Sequence, residues 1–491
     1  MTQLHKPVRH KGLALAVLAL TQLMIVLDSS IVNVALPAIR NALKFKPEDL
    51  QWIVTGYTLM FGGFLLLGGR VADRYGRRLV FVLGLVLFVI ASVIAGAAQN
   101  STMIIIARCI QGLGGALMAP AALSLVTVIF EEGPERNKAL GVWGGIAAGG
   151  AAIGLLLGGI IVQYLSWRWI FFVNIPFGAL TIVGAFMFVP ESSDPDVKGF
   201  DIAGAVTVTA GLMALVYALV RGNDVGWAST QTIGMFALSI VLLAVFVRLQ
   251  QTSKHPLMPL RIFKNRNVLG ADLTGLLLGA GMFAMFFFIS IFIQTPGMLS
   301  DSGYSAIRTG IAFLPTSIVI GISAGVGSKL LAMYRPRFIA GVGLAISTVG
   351  MLMLVGVHPG GSYLMSILLP LAVLGAGIGV TFVSITAAAV TGVSHADSGL
   401  ASALLNTGQQ VGGSLGLALL TAVQTYRLDN LGYDAKNLAS APPEVLTSAW
   451  AWAFFGGAIL LALGSVAAAT IITATKEEAA AAMEEGAVAV G

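Results

Sequence analysis

Apolar stretches about as long as a bilayer crossing, separated by short polar breaks, fill most of the chain. A membrane-spanning helix needs roughly 20 such residues, and stretches of that kind lie at 13–37, 51–69, 79–98, 103–129, 139–165 and 170–189. Two more follow at 202–220 and 232–249, then six at 268–293, 308–328, 338–357, 364–390, 400–425 and 449–473. The pattern predicts an all-α integral membrane protein with fourteen transmembrane helices. A six-helix half at 13–189 and another at 268–473 flank 190–267, which holds two inserted helices and a polar linker, with tails at 1–12 and 474–491. Paired halves are a common plan in secondary transporters.

Composition removes the alternatives. Of 491 residues 57% are hydrophobic and 10% charged, where a soluble domain carries about 25% charge; mean hydropathy is +0.90. Cys109 is the single cysteine, which excludes an intramolecular disulfide and a paired-cysteine metal site. The histidines at 5, 10, 255, 358 and 395 fall in tails or loops, and no phosphate loop, zinc spacing or nucleophile elbow occurs, so neither an enzyme, a metal nor a cofactor is expected. A net charge of +6 does not point to nucleic acid here, because position decides its meaning. With fourteen helices, nineteen Lys and Arg fall on the side of the N-terminus and eight on the other, while Arg108 lies inside a helix. Basic residues mark the inner side, so both termini are predicted to be cytoplasmic. The first apolar segment contains an acid and lacks a small-residue cleavage site, and reads as a retained helix. The Ala- and Glu-rich end from Lys476 reads as disordered or weakly helical.

Ionisable groups within apolar segments are functional candidates, since each is costly to bury in lipid. Asp28 lies about ten residues, or roughly 15 Å, from the outer end of the first helix, and Arg108 about six residues deep in the fourth. The reach of an arginine predicts a pair, direct or through water. Burial and a nearby guanidinium act oppositely on a carboxylate, which makes such a pair a proton-coupling candidate; a purely structural ion pair is the competing reading. Asp272, early in the ninth helix, reads as an acid favoured near a helix N-terminus at the interface.

The loop from Gly69 to Arg78 reads as a gate, with Gly69, Asp73, Arg74, Gly76 and Arg77 its key residues. Its glycines permit a tight turn, and Asp73 is placed to cap the neighbouring helix or to pair with an arginine across the bundle. In the fifth helix, Gly141, Gly145 and Gly149 and then Gly150, Gly154 and Gly158, with Gly159, recur at four-residue spacing. Small residues so spaced let helix backbones touch, most simply across the two halves. Asn33, Tyr57, Gln111, Gln294, Asn406 and Gln410 are polar side chains in apolar surroundings and candidates to line a substrate cavity; interhelical bonding is the other reading for the amides of the thirteenth helix.

These residues resemble the fourteen-helix drug:proton antiporter family of the major facilitator superfamily over almost the whole chain. The Gly69–Arg78 loop is similar to the superfamily's signature loop. Leu27-Asp28 through Asn33-Val-Ala-Leu-Pro37 resembles the family's first-helix motif, and Arg108-x2-Gln111-Gly112-x-Gly114 its fourth-helix motif. Trp167-Arg-Trp-Ile-Phe171, Asn174-x-Pro176-x-Gly178 and Asn406-x3-Gln410-x-Gly412-Gly413 are further landmarks. The sequence departs where the family's fifth helix has Gly-Pro: Gly154 is followed by Leu155, with Gly158-Gly159 in place. The resemblance implies proton transfer through Asp28 and Arg108, gating by Asp73 and Arg77, and a fifth helix that prevents leak.

The expected function is proton-coupled efflux of hydrophobic or amphipathic small molecules, including monovalent cations, by alternating access in a bacterial cytoplasmic (inner) membrane. The partners are then substrate, protons and lipid; no nucleic acid is involved and no oligomer is required. A dedicated exporter or proton-linked importer of one metabolite fits the same residues. A transport-inactive scaffold or sensor has no need of a buried Asp28 and Arg108.

Overall fold

The computed structural model describes residues 3–4, 10–46, 49–130, 134–194, 199–433, 441–479 and 481. Most of the predicted N-terminal tail and the end from 482 lie outside them. Fourteen long helices form the bundle. The first six are α1 (Lys11–Leu43), α2 (Trp52–Tyr75), α3 (Arg77–Gly96), α4 (Ser101–Ile129), α5 (Pro134–Tyr164) and α6 (Trp169–Phe188). Two follow as α7 (Ile202–Val225) and α8 (Thr230–Thr252). The last six are α9 (Arg266–Gln294), α10 (Ala306–Leu331), α11 (Pro336–Val355), α12 (Leu364–Val390), α13 (His395–Asn430) and α14 (Pro443–Ile471). Twelve of these are long and apolar enough to cross a membrane. The other two are α5, with its apolar stretch Gly149–Tyr164, and α13, which carries Asn406, Gln409 and Gln410. A two-residue antiparallel ladder pairs Gln3–Leu4 with Ser192–Ser193.

An even number of crossings puts the start of α1 and the end of α14 on one face, here the near face; the opposite face is the far face. Helices begin where side chains satisfy their first N–H groups. Asn100 Oδ1 accepts from Met103 N at 2.8 Å at the start of α4, and Asp201 Oδ1 from Gly204 N at 2.7 Å at the start of α7. α1 outruns its apolar segment by continuing through Pro37 to Leu43, and α6 is interrupted at Val173.

Besides the contact of α1 with α9, the halves meet along two seams. In one, α5 lies against α10: a Cβ built at Gly159 would strike the backbone of Ala306 and Ile307, and one at Gly310 the backbone of Leu155 and Leu156. In the other, α2 lies against α13, where Thr58 and Ser414 share a hydroxyl–hydroxyl hydrogen bond and Thr407 Oγ1 donates to Gly62 O at 3.3 Å. The inserted helix α7 covers this second seam. Thr209 packs on Gly63 of α2, Asn223 Nδ2 donates to Ala422 O of α13 at 2.8 Å, and Leu212 and Val216 share an apolar cluster with Leu59 and Ala418. In the connection from α1 to α2, Asp49 meets Arg221 of α7 at 3.2 Å; burial pushes its carboxyl upward and Arg221 opposes that.

The α5–α10 seam is asymmetric. Residues 141, 145, 152, 155 and 159 of α5 share one stripe by helical spacing. Its far end touches α10, whereas a Cβ at Gly141 or Gly145 would meet nothing within 4 Å, and the same holds for Gly321 and Gly325 toward the near end of α10. The two helices therefore part toward the near face. Toward the far face, Ile31, Phe171, Phe288, Phe313 and Trp450, drawn from both halves, belong to one apolar cluster.

Candidate functional site

Asp28 lies midway along α1 and is wholly buried, with 0% of its surface exposed. A carboxylate there is tolerable only with donors around it. Arg108 of α4 donates from Nη1 to Asp28 Oδ2 at 2.6 Å. Gln111 shares its face of α4, three residues on, and donates from Nε2 to Asp28 Oδ1 at 2.7 Å. Asn174 of α6 donates to the same oxygen at 2.9 Å. Ser92 of α3 joins these amides: its Oγ accepts from Gln111 Nε2 at 2.9 Å and Asn174 Nδ2 at 3.3 Å, and donates to Phe88 O at 2.8 Å.

The guanidinium has partners beyond the acid. Arg108 Nε donates to the Ile53 carbonyl of α2 at 2.9 Å, Nη1 also reaches Gln111 Oε1 at 2.7 Å, and the charge sits over the Tyr57 ring, 4.3 Å from its centre. Five helices thus converge on one sealed charge pair. The guanidinium is thus held on α2 by contacts of its own, apart from the acid.

At the near face the signature loop is built differently from the sequence expectation. Asp73 pairs with Arg77 of the same turn, 2.8 Å to Nη2 and 2.9 Å from Nε, rather than with an arginine across the bundle. It does not cap α3 either. That role belongs to Glu191, whose carboxylate accepts from Arg78 N at 3.0 Å and Leu79 N at 3.1 Å. The physical reason is Gly76: its φ of +118° turns the chain so that the first N–H groups of α3 face the 190s, and Glu191 packs on the glycine's bare Cα. Arg74 lies over Tyr75, and Gly69 packs near Pro120 of α4.

The fifth-helix glycines also find a different partner. A Cβ at Gly150, Gly154 or Gly158 would fall on Val26, on Ser30 and Leu27, or on Ile31, all of α1 in the same half; among these four positions only Gly159 meets the other half. Leu155, at the position of the family's proline, is buried at the α5–α10 contact, and α5 runs unbroken through it. Asp272 lies in the second turn of α9 and does not cap it. Asn265 caps α9, while both Asp272 oxygens are buried without a donor among the described residues.

The six cavity candidates scatter. Tyr57 and Gln111 belong to the charge network. Asn33 and Gln294 lie where α1 meets α9: Asn33 Nδ2 donates to Ser29 O at 3.1 Å and Gln294 Nε2 to Val34 O at 3.2 Å. Gln410 packs on Gly62 in the α2–α13 seam, and Asn406 is exposed, donating to Ser402 O at 3.1 Å. Ser92, Glu191 and Ser290 are contributors that the sequence reading passed over, and Asn174 stood there only as a landmark.

Comparison with known proteins agrees with this architecture. The profile of the Major Facilitator Superfamily matches residues 18–417. The puromycin resistance protein pur8 of Streptomyces alboniger is 37% identical over 414 residues, 84% of this chain and 81% of that one. The cephamycin export protein CmcT of Amycolatopsis lactamdurans is 34% identical over 452 residues, 91% and 90% of the two chains. An auto-inhibited POT family peptide transporter superposes with a TM-score of 0.66 at 14% identity, covering 94% of this chain and 96% of that one, which speaks for the fold alone. The chain belongs to the Major Facilitator Superfamily, as one of its fourteen-helix transporters.

Proposed function

We propose that this transporter exports hydrophobic or amphipathic small molecules, neutral or singly cationic, in exchange for protons, by alternating access between its halves. The observation that carries the coupling is the sealed Asp28, held by Arg108, Gln111 and Asn174. Protonation removes the charge that binds α1 to Arg108. The guanidinium retains the Ile53 carbonyl and the Tyr57 ring, so the consequence is release of α1 rather than ejection of a naked cation. One proton moving across 100 mV supplies about 2.3 kcal/mol, enough for roughly a fifty-fold gradient of a neutral substrate.

The positions of the basic residues support a near face in the cytoplasm of a bacterial inner membrane, with the parted α5 and α10 open to that side. Similarity to proteins named for puromycin resistance and cephamycin export supports efflux. Each of these is named for one compound or class of compound, which favours a dedicated exporter as the alternative reading.

The test is transport of a fluorescent monovalent amphipathic cation in proteoliposomes under an imposed pH gradient. Gradient-driven accumulation and substrate-evoked proton release are expected in the parent and absent in Asp28→Asn. Retained coupling in Asp28→Asn overturns the assignment. Transport of one compound among many tried selects the dedicated reading.

A further inference from the structure

Pro37 sits inside α1, where it has no N–H to offer the carbonyl four residues back. That carbonyl belongs to Asn33. Its donor comes from the other half of the protein: Ser290 Oγ of α9, fully buried, donates to Asn33 O at 2.6 Å. Gln294, one turn further along α9, reinforces the junction by donating to Ser290 Oγ at 3.3 Å and to Val34 O at 3.2 Å. The serine hydroxyl thus accepts from its own helix and gives its proton across the seam.

We propose that Ser290 is a positioning residue for transport: with the carbonyl freed by Pro37, it forms a latch that holds the far face closed while the near face is open. An ordinary helix carbonyl already has a donor and gains little from a second. Here the bond across the halves takes the place of the missing Pro37 N–H at Asn33 O, and water replaces the serine when the halves part. The latch lies five residues from Asp28 on the same helix, about 7.5 Å along it, so release of α1 at the acid reaches the latch directly. This inference rests on the alternating-access reading, but not on protons being the coupled ion.

The experiment reads far-face opening rather than transport. In a Cys109→Ser background, Ile307→Cys places one thiol on α10 at the far-face seam, and its labelling by a membrane-impermeant maleimide is timed in right-side-out vesicles. Ser290→Ala is expected to raise the rate about five-fold, the equivalent of one net hydrogen bond of about 1 kcal/mol, with the melting temperature little changed. Ser290→Thr, which keeps the hydroxyl, is expected to stay near the parent rate. In Pro37→Ala the restored N–H competes for Asn33 O, so adding Ser290→Ala is expected to raise the rate much less than five-fold. An unchanged rate in Ser290→Ala, or a full five-fold effect in the Pro37→Ala background, overturns the latch. Loss of proton coupling in the proteoliposome assay leaves it standing.

Discussion

Arg108 reaches Asp28 at 2.6 Å and the Ile53 carbonyl at 2.9 Å, so one guanidinium ties α1 to α4 and α4 to α2. Both charges are sealed, at 1% and 0% exposure, and this sets the energetic consequence of breaking the pair. Removing one member of a buried pair typically costs about 3–5 kcal/mol, because the other is left uncompensated. Arg108→Ala should therefore lower the melting temperature of the solubilised protein strongly. The double variant Asp28→Asn/Arg108→Gln removes both charges and should recover part of that loss. A double variant as unstable as the two single losses added together would mean that the charge pair is not what Arg108 stabilises.

The glycines of α5 divide by what faces them. Gly154 and Gly158 leave no room beside α1, so a valine at either should prevent assembly of a monodisperse protein. Gly145 faces open space in this state. Gly145→Ala should fold at least as well as the parent, since glycine in a helix costs about 1 kcal/mol relative to alanine. A bulkier Gly145→Leu should fold yet lose transport, because the near ends of α5 and α10 then cannot close. Loss of folding in Gly145→Ala, or full transport in Gly145→Leu, would contradict this reading.

Twelve spans were legible because each is a long apolar window, and the Asp28–Arg108 pair was legible because helical rise places both at reachable depths. The partners were less so. A lone serine in an apolar helix ordinarily bonds its own backbone, as Ser92 does to Phe88, and nothing local reveals that two amides also converge on it. Four-residue glycine spacing announces a close helix contact without naming the neighbour, and the neighbour is mostly α1. Glu191 is more than a hundred residues from the turn it caps, and Pro37 announces a free carbonyl but not the serine that takes it.

Glu191 and Asp73 can be separated experimentally. Glu191 satisfies two N–H groups at the start of α3, and losing such a cap costs about 1 kcal/mol. Glu191→Ala should raise amide exchange of residues 78–80 several-fold while leaving the Asp73–Arg77 pair intact. Asp73→Asn should weaken that pair and leave the exchange unchanged. Equal exchange in both variants would assign the cap elsewhere.

Asp272 offers the sharpest contrast with Asp28, since both are acids within helices of corresponding position in the two halves. Asp28 has three side-chain donors; neither oxygen of Asp272 has one, and no charged side chain among the described residues stands beside it. A buried acid held by donors loses stability when neutralised, because its partners are left unsatisfied. A buried acid without donors has nothing of that kind to lose. Asp28→Asn should therefore lower the melting temperature of the detergent-solubilised protein, whereas Asp272→Asn should leave it unchanged or raise it. The measurement is a pair of thermal unfolding curves at one pH and lipid content. A drop of several degrees in Asp272→Asn would show that this carboxylate holds a partner in the working protein, and labelling of the variant beside the parent would then locate the helix that has moved.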